Sequence, residues 1–584
     1  MQKRWNIAAP CPEDFTQAMD FASPVFAQLL WNRAIRSPEA AERFLHPSWD
    51  QHTHSASQFL HMPQAVARVF LALEQGERIT IHGDYDADGV TGSAVLITTL
   101  RELLRHLQSK APANADLVDY YIPHRDQEGY GLHAETVRLL HERGTTLLVT
   151  VDCGIACNEE IALAKTLGMD TIVVDHHQFG ETLPDAHIIH PSVPNEPYPF
   201  KHLAAVGVAF KFACELVEEG RRKGLALAVG WEKWLLDLVA IATVTDMVPL
   251  VDENRVLETY GLTVLNKTRR HGLRALIRAA SLEGKTLTSE SIGFGLGPRL
   301  NAAGRMDHAS LALRLLLAET EEEAVTLAAE VERHNRARQD TTRRMMVEAE
   351  EKMQGDALQA TPLFVHWDER WAPALVGLVA GKFLERFGKP AIAIGQHNGT
   401  WIGSGRSHAG FDVTEAVRVA GEGLLVRVGG HKQACGFTLA SPEHLTTFQE
   451  RLVAYTKEHL NAEEAVPTLE IDAELSLDAV EWPLMDELAQ LMPYGQSNPQ
   501  PLFFSRASVL SSDVMGKTQS HLRLTVKRPD GRWMKFVGFS MGAHAATIKP
   551  GDMIGIVYHL EVNDFREEQT IEGRIHDLGP ASVT

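Results

Sequence analysis

Acidic and imidazole side chains follow a short apolar run that ends at residue 174. Residues 172–174 are Ile-Val-Val, and Asp175, His176 and His177 come directly after them. A β-branched run of this kind is typical of a buried strand, and active sites of open α/β sheets lie at the carboxyl ends of their strands. The triplet is therefore a candidate metal or catalytic site, although a single Asp-His-His group also occurs where histidines have no functional role.

A second candidate segment, residues 79–89, carries one histidine and three acids at alternating positions: His82, Asp84, Asp86 and Asp88. In a partly desolvated site the three carboxylates would repel one another strongly, and divalent cations would remove that cost. Gly83 and Gly89 permit backbone torsions and close approaches that a side chain would prevent. The alternative is a calcium-type loop or an acidic turn with a capping Asp, but the Glu that normally ends a calcium loop is absent.

Two further apolar runs each end in a single acid. Residues 147–151 precede Asp152, which is followed by Cys153 and Gly154, and residues 238–245 precede Asp246. Taken alone, either acid also fits a helix cap or a turn. Because several such runs occur together, we expect their acids and histidines to meet at strand ends and to form one site.

The mixture of ligands indicates the metal and the reaction. Histidine and carboxylate ligands together suit Mn²⁺ or Mg²⁺, and the majority of carboxylates argues against a structural zinc site. Two such ions about 3.5–4 Å apart activate a water molecule and stabilise the leaving oxygen of a phosphoryl transfer. The predicted reaction class is hydrolysis of a phosphoester or a phosphoanhydride.

The ordered set of these motifs resembles the DHH phosphoesterase superfamily, and other segments narrow the resemblance to the RecJ exonucleases within it. These segments are residues 121–125 (YIPHR), 129–132 (GYGL), 205–210 (AVGVAF), 297–305 (GPRLNAAGR), 403–407 (GSGRS) and 429–431 (GGH). The resemblance covers the chain from about residue 75 to the C-terminus.

The resemblance implies an α/β fold with several domains. A mostly parallel-sheet DHH domain is joined by a long helix to a second α/β, DHH-associated domain, and a C-terminal β-barrel of the OB-fold type follows. The expected ranges are 1–75 for a mainly helical region, 76–265 for the DHH domain, 266–355 for a helical connector, 356–462 for the DHH-associated domain and 463–584 for the OB-fold.

Sequence patterns support this organisation independently of the resemblance. Strand-like runs alternate with helical stretches, which indicates a parallel sheet, and they lie near residues 78–82, 117–122, 146–151, 171–175 and 187–190. Residues 318–353 favour a helix without Gly or Pro, and such a helix would extend about 50 Å, enough to connect two domains across a groove. After residue 465 short strands dominate, and helix is mostly confined to residues 482–492.

The resemblance also assigns roles to individual residues. One ion would be held by His82, Asp86 and Asp152, and the other by Asp88, Asp152, His176 and Asp246, so that Asp152 bridges the two. His177 would donate to the scissile phosphate and Asp175 would orient the imidazoles. Asp84 is either a further ligand or a residue that orients a ligand. The two cations are expected to be Mn²⁺ or Mg²⁺.

The activity that the resemblance implies is a 5′-to-3′ exonuclease that hydrolyses single-stranded DNA to 5′ mononucleotides in DNA repair and recombination. Guanidinium groups that contact a terminal phosphate would set the direction of digestion. The expected nucleic-acid contacts are Arg125, Ser404, Arg406 and His431, with Arg299 or Arg305 as well. Where RecJ sequences commonly read Trp-His-Pro-Gly, this chain has Trp-Ala-Pro-Ala at residues 371–374. The contact made by that imidazole is lost, but we expect activity to survive.

Composition is compatible with this function but does not demand it. The net charge of −20 disfavours a uniformly basic nucleic-acid-binding protein, yet residues 266–280 carry five basic residues without an acid, and residues 514–545 carry six against one acid. A solvated surface is the alternative interpretation of both segments. Phe503, Phe504, Trp533 and Phe536 could stack on bases or fill the barrel.

Two other classes of function remain open. A DHH phosphodiesterase for oligoribonucleotides or other small substrates would use the same metals, but it would have little use for a C-terminal barrel. A non-catalytic replication scaffold would keep the fold without the ligands, and every expected ligand is present here.

The chain is long enough for three or four domains, has no apolar run of about 18 residues and lacks a signal-like N-terminus. Five irregularly spaced cysteines indicate neither a disulfide framework nor a zinc site. We therefore expect a cytoplasmic protein without a membrane partner. It is expected to be a monomer that works on single-stranded DNA alongside a single-stranded-DNA-binding protein and a helicase.

Overall fold

The computed structural model describes residues 3–107, 117–352, 361–408, 410–460, 468–564 and 569–581. The helices described are, in chain order, α1 (Glu13–Ala18), α2 (Pro24–Asn32), α3 (Pro38–Leu45), α4 (Trp49–His52), α5 (Met62–Gln75), α6 (Ala87–Leu107), α7 (Ala134–Glu142), α8 (Asn158–Thr166), α9 (Ala205–Arg222), α10 (Leu236–Thr245), α11 (Asp252–Leu265), α12 (His271–Ala279), α13 (Gly297–Met306), α14 (Ser310–Leu317), α15 (Glu321–Lys352), α16 (Pro373–Phe387), α17 (Val413–Ala420), α18 (His444–His459) and α19 (Trp482–Gln490). A π-helical turn, Ser291–Leu296, leads directly into α13. None of these helices is apolar over a length that could cross a membrane.

The described strands are, in chain order, β1 (Arg4–Ile7), β2 (Arg78–Gly83), β3 (Val118–Tyr121), β4 (Thr145–Val151), β5 (Asp170–Val174), β6 (His187–Ile189), β7 (Phe364–Trp367), β8 (Ala391–His397), β9 (Thr400–Arg406), β10 (Leu425–His431), β11 (Ala434–Leu439), β12 (Thr468–Ile471), β13 (Ala473–Glu474), β14 (Phe503–Met515), β15 (His521–Lys527), β16 (Trp533–Gly538), β17 (Met553–Asn563) and β18 (Thr570–Pro580).

The chain forms two compact units. The first is Trp49–Ala465, and the second combines Gln2–Ser48 with Val466–Thr584. Residues 1–75, which the sequence suggested as one mainly helical region, are thus divided between the two units. The expected domain boundaries near residues 355 and 462 fall outside the described residues.

The first unit contains the predicted parallel sheet. Its strand order is β3-β2-β4-β5-β6, every pairing is parallel, and each strand lies within one or two residues of its predicted position. β2, β4 and β5 are apolar and almost fully buried because helices cover both faces of the sheet. Since the strands are parallel, their carboxyl ends meet at one edge.

The predicted long helix is confirmed as α15, and its one predicted residue beyond Lys352, Met353, lies outside the described part of the chain. The first half of α15 contributes Leu327 and Val331 to the core around the parallel sheet. Its second half contributes Met345 and Met346 to a separate core that includes α16. The helix therefore connects the DHH region to the α/β region that follows it.

That second α/β region contains a mixed sheet with the strand order β10-β11-β9-β8-β7. Only the β7–β8 pair is parallel. At Gly403 on β9, an added Cβ atom would lie 2.1 Å from the Phe437 ring, so only glycine fits there. This close packing fixes β9, which carries Ser404 and Arg406.

The second unit contains the predicted barrel. Strands β14, β15, β16, β18 and β17 follow one another, and β14 pairs again with β17 to close the barrel. Phe503, Phe504 and Phe536 are fully buried, whereas Trp533 is 59% exposed. Phe503 and Phe536 lie in the barrel core, and Phe504, on the other face of β14, belongs to a separate apolar cluster that includes Trp5. Of the four aromatic residues considered for base stacking, Trp533 alone has an accessible ring.

The first strand of the chain belongs to this barrel unit. β1 pairs in parallel with β12, and the Trp5 ring lies 5.6 Å from the Phe504 ring. The indole also lies over Gly555 and Gly579, where an added Cβ atom would be less than 3 Å from it. The Trp5 N–H donates to Asp577 at 2.9 Å. The N-terminal segment is therefore part of the C-terminal domain's packing.

We predict that Trp5→Ala lowers the free energy of unfolding of the barrel unit by about 2–4 kcal/mol, because it removes a packed ring and a hydrogen bond. Chemical denaturation followed by a probe in the barrel measures this loss. Trp533→Ala is the matched control and should change stability by less than about 1 kcal/mol, since its ring is mostly in solvent. Equal losses in the two variants would contradict this role for β1.

Candidate metal centre

Three neighbouring parallel strands deliver acids to the same edge of the first sheet. β2, β4 and β5 are in register up to their last residues, and one acid follows each of them. The backbone N–H of Asp84 donates to the Val151 carbonyl at 3.2 Å, and that of Asp152 donates to the Val174 carbonyl at 2.9 Å. The sheet pairing thus continues one residue past the strands. It places Asp84, Asp152 and Asp175 side by side.

Potential metal-ligating atoms converge at this edge. Within each of three sets of residues the donor atoms lie within 4.8 Å of one another: Asp84, Asp86 and Asp152; Asp88, His176 and Asp246; and Asp152, His176 and His177. Asp152 belongs to two of the sets, which suits the bridging role expected for it. Of the six residues that the sequence suggested as ligands, five fall in these sets and His82 does not.

His82 lies on β2, two residues before Asp84. The imidazole is fully buried, stacks on Tyr121 at 5.7 Å, and has its Nδ1 3.5 Å from the Cys153 Sγ. Burial lowers the pKa of His82 to about 4, so the ring is neutral at physiological pH. Its Nε2 atom has no hydrogen-bond partner among the described residues. A neutral ring with a bare nitrogen fits a ligand, and His82 stays a predicted one.

Asp84 lies within the donor sets, whereas the sequence left it either as a ligand or as a residue that orients a ligand. Its carboxyl is buried, and Oδ1 has no hydrogen-bond partner in the described chain. Burial and the neighbouring Asp86 raise the pKa of Asp84 well above its usual value. An oxygen without a partner beside Asp86 and Asp152 favours the ligand role.

The acids of this centre are held at a high electrostatic cost. Burial and repulsion from neighbouring carboxylates raise the pKa of Asp88 to about 7 and that of Asp246 to about 9. The same two causes raise the pKa of Asp152 well above its usual value. Without cations these groups bind protons at pH values where an ordinary aspartate is ionised. The site therefore requires positive charge.

Several buried polar atoms of the centre also lack partners in the described structure: His82 Nε2, Asp84 Oδ1, Asp152 Oδ1 and His176 Nε2. Buried nitrogen and oxygen atoms are almost always satisfied in folded proteins. Carboxylate and neutral imidazole groups are also the ligands that Mn²⁺ and Mg²⁺ accept. Divalent cations would satisfy the atoms and neutralise the repulsion at once, so the residues fit such a group.

Two of the acids also bind the starts of helices. Asp86 Oδ1 accepts hydrogen bonds from the backbone N–H groups of Asp88 and Gly89, at 2.9 and 3.3 Å, and so caps α6. Asp88 accepts from the N–H groups of Ala205 and Val206 at the start of α9, at 2.7 and 2.8 Å. Capping, considered above as an alternative to metal binding, thus accompanies it. The second contact places the start of the 205–210 segment at the site.

Asp246 does not follow a strand, and this part of the prediction was wrong. The apolar run before it is the helix α10, and Asp246 is the residue at its C-terminal end. A wholly buried apolar segment shows no amphipathic period, so its sequence does not distinguish strand from helix. The outcome for the site is unchanged, because Asp246 Oδ2 lies 3.6 Å from His176 Nε2.

Within the Asp-His-His triplet, Asp175 acts as a fixed acceptor. Its carboxylate accepts from the backbone N–H groups of Ile155, His176 and His177, at 3.0, 2.8 and 3.1 Å. It also lies 2.9 Å from His177 Nδ1. Burial alone would raise the pKa of Asp175, but these hydrogen bonds and the His177 charge outweigh it and lower the pKa. The contacts favour the orienting role expected of Asp175.

The two histidines have opposite charge states. Burial and the adjacent His177 lower the pKa of His176 to about 4, so its ring is neutral, and its Nε2 lies 3.4 Å from Asp152 and 3.8 Å from Asp88. Burial alone would lower the pKa of His177, but the hydrogen bond that its ring donates to the Asp175 carboxylate, together with the charge of that carboxylate, raises the pKa to about 9. His177 is therefore a half-exposed cation. The neutral His176 suits a metal ligand, and the charged His177 suits a hydrogen-bond donor to a phosphate group.

Tyr130 is a contact that the sequence did not assign. Its hydroxyl donates to the Asp152 carbonyl at 3.1 Å and lies 3.1 Å from His177 Nδ1. Gly129 and Gly131 on either side have positive φ angles of 88° and 96°, which place the tyrosine on a tight loop. A tyrosine enclosed by two glycines near a metal motif was the signal for it.

The segment of residues 297–305 supports the metal loop, a role that its resemblance did not suggest. Asn301 Oδ1 accepts from the Ala87 N–H at 2.7 Å. At Gly304 an added Cβ atom would lie 2.6 Å from the Tyr85 carbonyl, and at Gly297 one would lie 2.1 Å from Thr245. The helix α13 therefore packs directly on the loop that carries Asp86 and on the end of α10.

The two arginines of this segment have different environments. Arg299 donates to Glu332 and to the Gly295 carbonyl, both at 2.8 Å, so its charge is neutralised. Arg305 donates to the Ala374 carbonyl at 2.8 Å, and burial together with repulsion from Arg125 lowers the pKa of Arg305 to about 9. Of the pair, Arg305 is therefore the better candidate for binding an anion.

Ser404 and Arg406 lie on β9 beneath the first turns of α16. Arg406 donates to Ser404 Oγ and to the Gly405 carbonyl, both at 2.8 Å, and burial lowers its pKa. An added Cβ atom at Gly377 of α16 would lie 3.1 Å from the Arg406 guanidinium. Because Ala374 of the same helix accepts from Arg305, the start of α16 gathers two guanidinium groups.

His431, the remaining predicted nucleic-acid contact, lies at the end of β10 and is exposed. It lines an open cavity of about 660 Å³ together with Asp412, Thr414, Arg418, Gly430, Lys432 and Gln433. The structure does not place His431 in the described donor sets. Its role stays a prediction.

The raised pKa values predict how stability depends on pH when cations are removed. A carboxyl whose pKa is raised by folding stabilises the protein while protonated, and this contribution is lost as pH rises through the folded-state pKa. In chelator, the unfolding free energy should therefore begin to fall near pH 4, the pKa of an unfolded aspartate, and should continue to fall to about pH 7 for Asp88 and about pH 9 for Asp246. His177 adds to the fall between about pH 6.5 and pH 9, and each group contributes about 1.4 kcal/mol per unit by which folding raises its pKa. Thermal or chemical unfolding measures it.

Mn²⁺ should remove most of this pH dependence, and Asp88→Asn or Asp246→Asn should reduce it even in chelator. If the unfolding free energy of the metal-free protein does not fall between about pH 6 and pH 9, the electrostatic description of the centre is wrong.

Comparison with known proteins identifies matching domains along the chain. Residues 78–243 match the DHH family N-terminal domain, residues 360–458 the DHHA1 domain and residues 471–577 the RecJ OB domain. The single-stranded-DNA-specific exonuclease RecJ of Bacillus subtilis is 36% identical over 581 residues, which cover 98% of this chain and 70% of that protein. The RecJ of Escherichia coli is 32% identical and covers 95% of this chain and 96% of that one.

Solved structures give the same result. RecJ from Thermus thermophilus in complex with Mn²⁺ superimposes with a TM-score of 0.82 at 30% identity, covering 98% of this chain and 79% of that chain. The same protein in complex with Mg²⁺ gives a TM-score of 0.75 at 28% identity, covering 99% and 78% of the two chains. Likeness in sequence, domains and structure extends over nearly all of this chain, and the chain therefore belongs to the RecJ family.

Proposed function

We propose that the protein is a metal-dependent exonuclease that hydrolyses single-stranded DNA from the 5′ end and releases 5′ mononucleotides. The observation that carries this proposal is the cluster of buried, mutually repelling carboxylates and neutral imidazoles at the carboxyl edge of the parallel sheet. It lies in a chain of the RecJ family whose second unit contains an OB-fold. DNA repair and recombination are the processes that such an activity serves.

The proposed ligands divide into two groups that share Asp152. One group is His82, Asp84, Asp86 and Asp152, and the other is Asp88, Asp152, His176 and Asp246. Two divalent cations, Mn²⁺ or Mg²⁺, would activate water for attack on the phosphodiester and offset the charge on the leaving oxygen. The chain's own contribution is to fix the ligands. β-strand register positions Asp84 and Asp152, and α6, α9 and α10 position Asp86, Asp88 and Asp246.

His177 is proposed to donate a hydrogen bond to the scissile phosphate. Its raised pKa keeps both ring nitrogens protonated at neutral pH, and Asp175 holds one of them at 2.9 Å. The side chain belongs to one of the donor sets but is half-exposed, so its second nitrogen is available to a substrate oxygen. Charge-assisted hydrogen bonds of this type are about twice as strong as neutral ones.

Recognition of a 5′ terminal phosphate is proposed for Arg125, Arg305, Ser404 and Arg406. Arg305 and Arg406 both lie against the start of α16, where the helix dipole also favours an anion. Arg125 lies over the Tyr85 ring at 4.6 Å and repels Arg305, which indicates that the two charges are close. A dianionic terminal phosphate would relieve that repulsion better than an internal diester. Arg299 is a weaker candidate because Glu332 neutralises it.

Ala372 begins α16 and offers no side-chain cap to its first N–H groups. The imidazole that related sequences commonly carry at this position is replaced by a methyl group that is exposed here. The nearby guanidinium groups remain, so we propose that they bind the phosphate without it.

The barrel is proposed to hold the single strand beyond the active site. Cross-strand neighbours on its outer face combine charge and one exposed ring: Lys527 is paired with Trp533, and Lys535 lies 5.6 Å over that ring. Arg528 and Arg532 from the same basic segment pair with Glu481 and are not free to bind phosphates. OB-folds usually bind single strands by stacking aromatic rings on the bases and by placing basic side chains along the phosphate backbone.

The other basic segment, residues 266–280, is largely engaged within the fold. Arg270 pairs with Asp237 at 3.1 Å, and Arg269 stacks on Trp234 at 3.7 Å. For this segment a structural interpretation is preferred to a nucleic-acid contact.

The two other function classes are disfavoured by specific features. A small-molecule DHH phosphodiesterase would not need the closed barrel, which matches the RecJ OB domain. A non-catalytic scaffold would not need buried ligand atoms without hydrogen-bond partners or carboxyl groups with raised pKa values.

We further propose that the protein works as a monomer in the cytoplasm, with a helicase and a single-stranded-DNA-binding protein supplying its substrate. Its DNA substrate and its five unpaired cysteines, which suit a reducing compartment, support that location. The domain ranges given from the sequence stay a proposal for how the tasks are divided.

The activity is tested with 5′- and 3′-labelled single strands of DNA and of RNA incubated with purified protein and Mn²⁺. We expect mononucleotides to be released from the 5′ end of DNA. Asp152→Ala should lower the rate by at least about 10³-fold, because it removes a shared ligand. The exposed Asp340→Ala, on α15, is the matched control and should leave the rate unchanged. Release from the 3′ end, or full activity of Asp152→Ala, would refute the proposal.

The terminal-phosphate assignment is tested with Arg406→Ala. The variant should reduce the preference for 5′-phosphorylated over 5′-hydroxyl strands by about 10- to 100-fold, the effect of losing hydrogen bonds to a charged group. The ratio of kcat/KM values for the two strands measures it. Arg386→Ala, which alters an exposed arginine of α16 paired with Glu350, should keep the ratio. An unchanged ratio in Arg406→Ala would remove Arg406 from this role.

A further inference from the structure

Two large apolar side chains next to the metal centre are almost entirely exposed. Phe294 is 82% exposed, more than any of the other exposed aromatic residues in the described chain, and Met247, which directly follows Asp246, is 68% exposed. By contrast, the neighbouring residues Val248 and Leu250 are buried. Large exposed apolar side chains on adjoining elements are candidates for a binding surface. We call Phe294 and Met247 the apolar platform.

The backbone at the exposed residue Met247 is strained. Its φ angle is 56°, in the left-handed region that residues with a Cβ atom rarely adopt. Backbone strain of this kind persists where the surrounding structure enforces it, and it clusters at functional sites. Here the strained residue lies one position after the proposed ligand Asp246.

Phe294 is presented by a rigid support and not by a loose loop. It lies in the π-helical turn Ser291–Leu296, in which Ile292 and Leu296 are fully buried. Such turns are rare and are found frequently at functional sites. The carbonyl of the next residue, Gly295, accepts a hydrogen bond from Arg299 at 2.8 Å.

The same turn is packed against the helix that carries Asp246. At Gly293 an added Cβ atom would lie 3.8 Å from Val244, and at Gly297 one would lie 2.1 Å from Thr245. Small residues thus bring the turn into direct contact with the last turn of α10. The apolar platform and a proposed metal ligand therefore share one packed junction.

We propose that the apolar platform stacks on a nucleobase of the bound single strand next to the scissile phosphate. This inference rests on the proposed function. The phosphates of such a strand are drawn to the cations and guanidinium groups, so its bases require an apolar surface beside them. A flat aromatic ring and a polarisable thioether accept any base, as digestion of arbitrary sequences requires. A protein partner is the other occupant to be tested.

The test replaces single bases with 2-aminopurine, whose fluorescence is quenched on stacking, at successive positions from the 5′ end of a single strand. Binding is measured with Mn²⁺ present and with strands whose linkages near the 5′ end are phosphorothioates that resist hydrolysis, so that the cations remain in place. At one position the wild-type protein should quench the probe, and Phe294→Ala should lose that quenching and bind the strand roughly tenfold more weakly. Phe294→Trp should retain both, since it keeps an aromatic face.

A second readout uses strands with one abasic nucleotide. Wild-type protein should bind the strand roughly tenfold more weakly when the base at the quenched position is missing, whereas Phe294→Ala should not distinguish the two strands. Val229→Ala is the matched control, because Val229 is 95% exposed in the same unit and precedes the N-terminal end of α10, whereas Asp246 lies at the C-terminal end of that helix. Thermal unfolding should be the same for all variants.

The outcomes separate this inference from the proposed function. If Phe294→Ala keeps the quenching and the sensitivity to the missing base, the apolar platform does not bind bases, and a protein partner becomes its occupant. If wild-type protein neither binds nor hydrolyses single-stranded DNA, the proposed function itself is wrong. If Phe294→Trp behaves like Phe294→Ala, the contact depends on the shape of phenylalanine and stacking is refuted.

Discussion

Repulsion between buried carboxylates is the constraint on which the rest of this structure depends. Asp84, Asp86, Asp88, Asp152 and Asp246 converge on one sheet edge where water cannot screen them, and the pKa of Asp152 rises accordingly. Such an arrangement persists only if many other contacts hold it in place and if cations neutralise it. The acids thus explain both the contacts that surround them and the need for divalent metal.

The contacts that hold the acids are drawn from distant parts of the chain. Asp88 is fixed by the start of α9, Ala87 by Asn301 of α13, and Asp175 by the backbone near Ile155. The same α13 carries Arg305 to the start of α16. Metal centre, terminal-phosphate contacts and apolar platform are therefore coupled through one packed helix. That coupling relates the chemistry to the binding of a strand.

The sequence predicted the parallel sheet and its five strands, the long helix and the barrel, because each has a strong hydrophobic period or a clear length. It did not predict that Asp246 ends a helix, since a fully buried apolar run has the same appearance in either element. The role of Asn301 and the pairing of Arg299 with Glu332 depend on contacts between segments about 30 to more than 200 residues apart. The place of β1 in the barrel unit has the same cause.

The central claim is that this acidic cluster holds two cations that share Asp152, and Mn²⁺ binding tests it most directly. Calorimetric titration gives the number of ions per chain, and electron paramagnetic resonance shows whether two Mn²⁺ ions are close enough for their spins to couple. We expect two ions per chain with a spin-coupled signal that Asp152→Ala abolishes. A single ion, or two uncoupled ions that Asp152→Ala leaves in place, would contradict it.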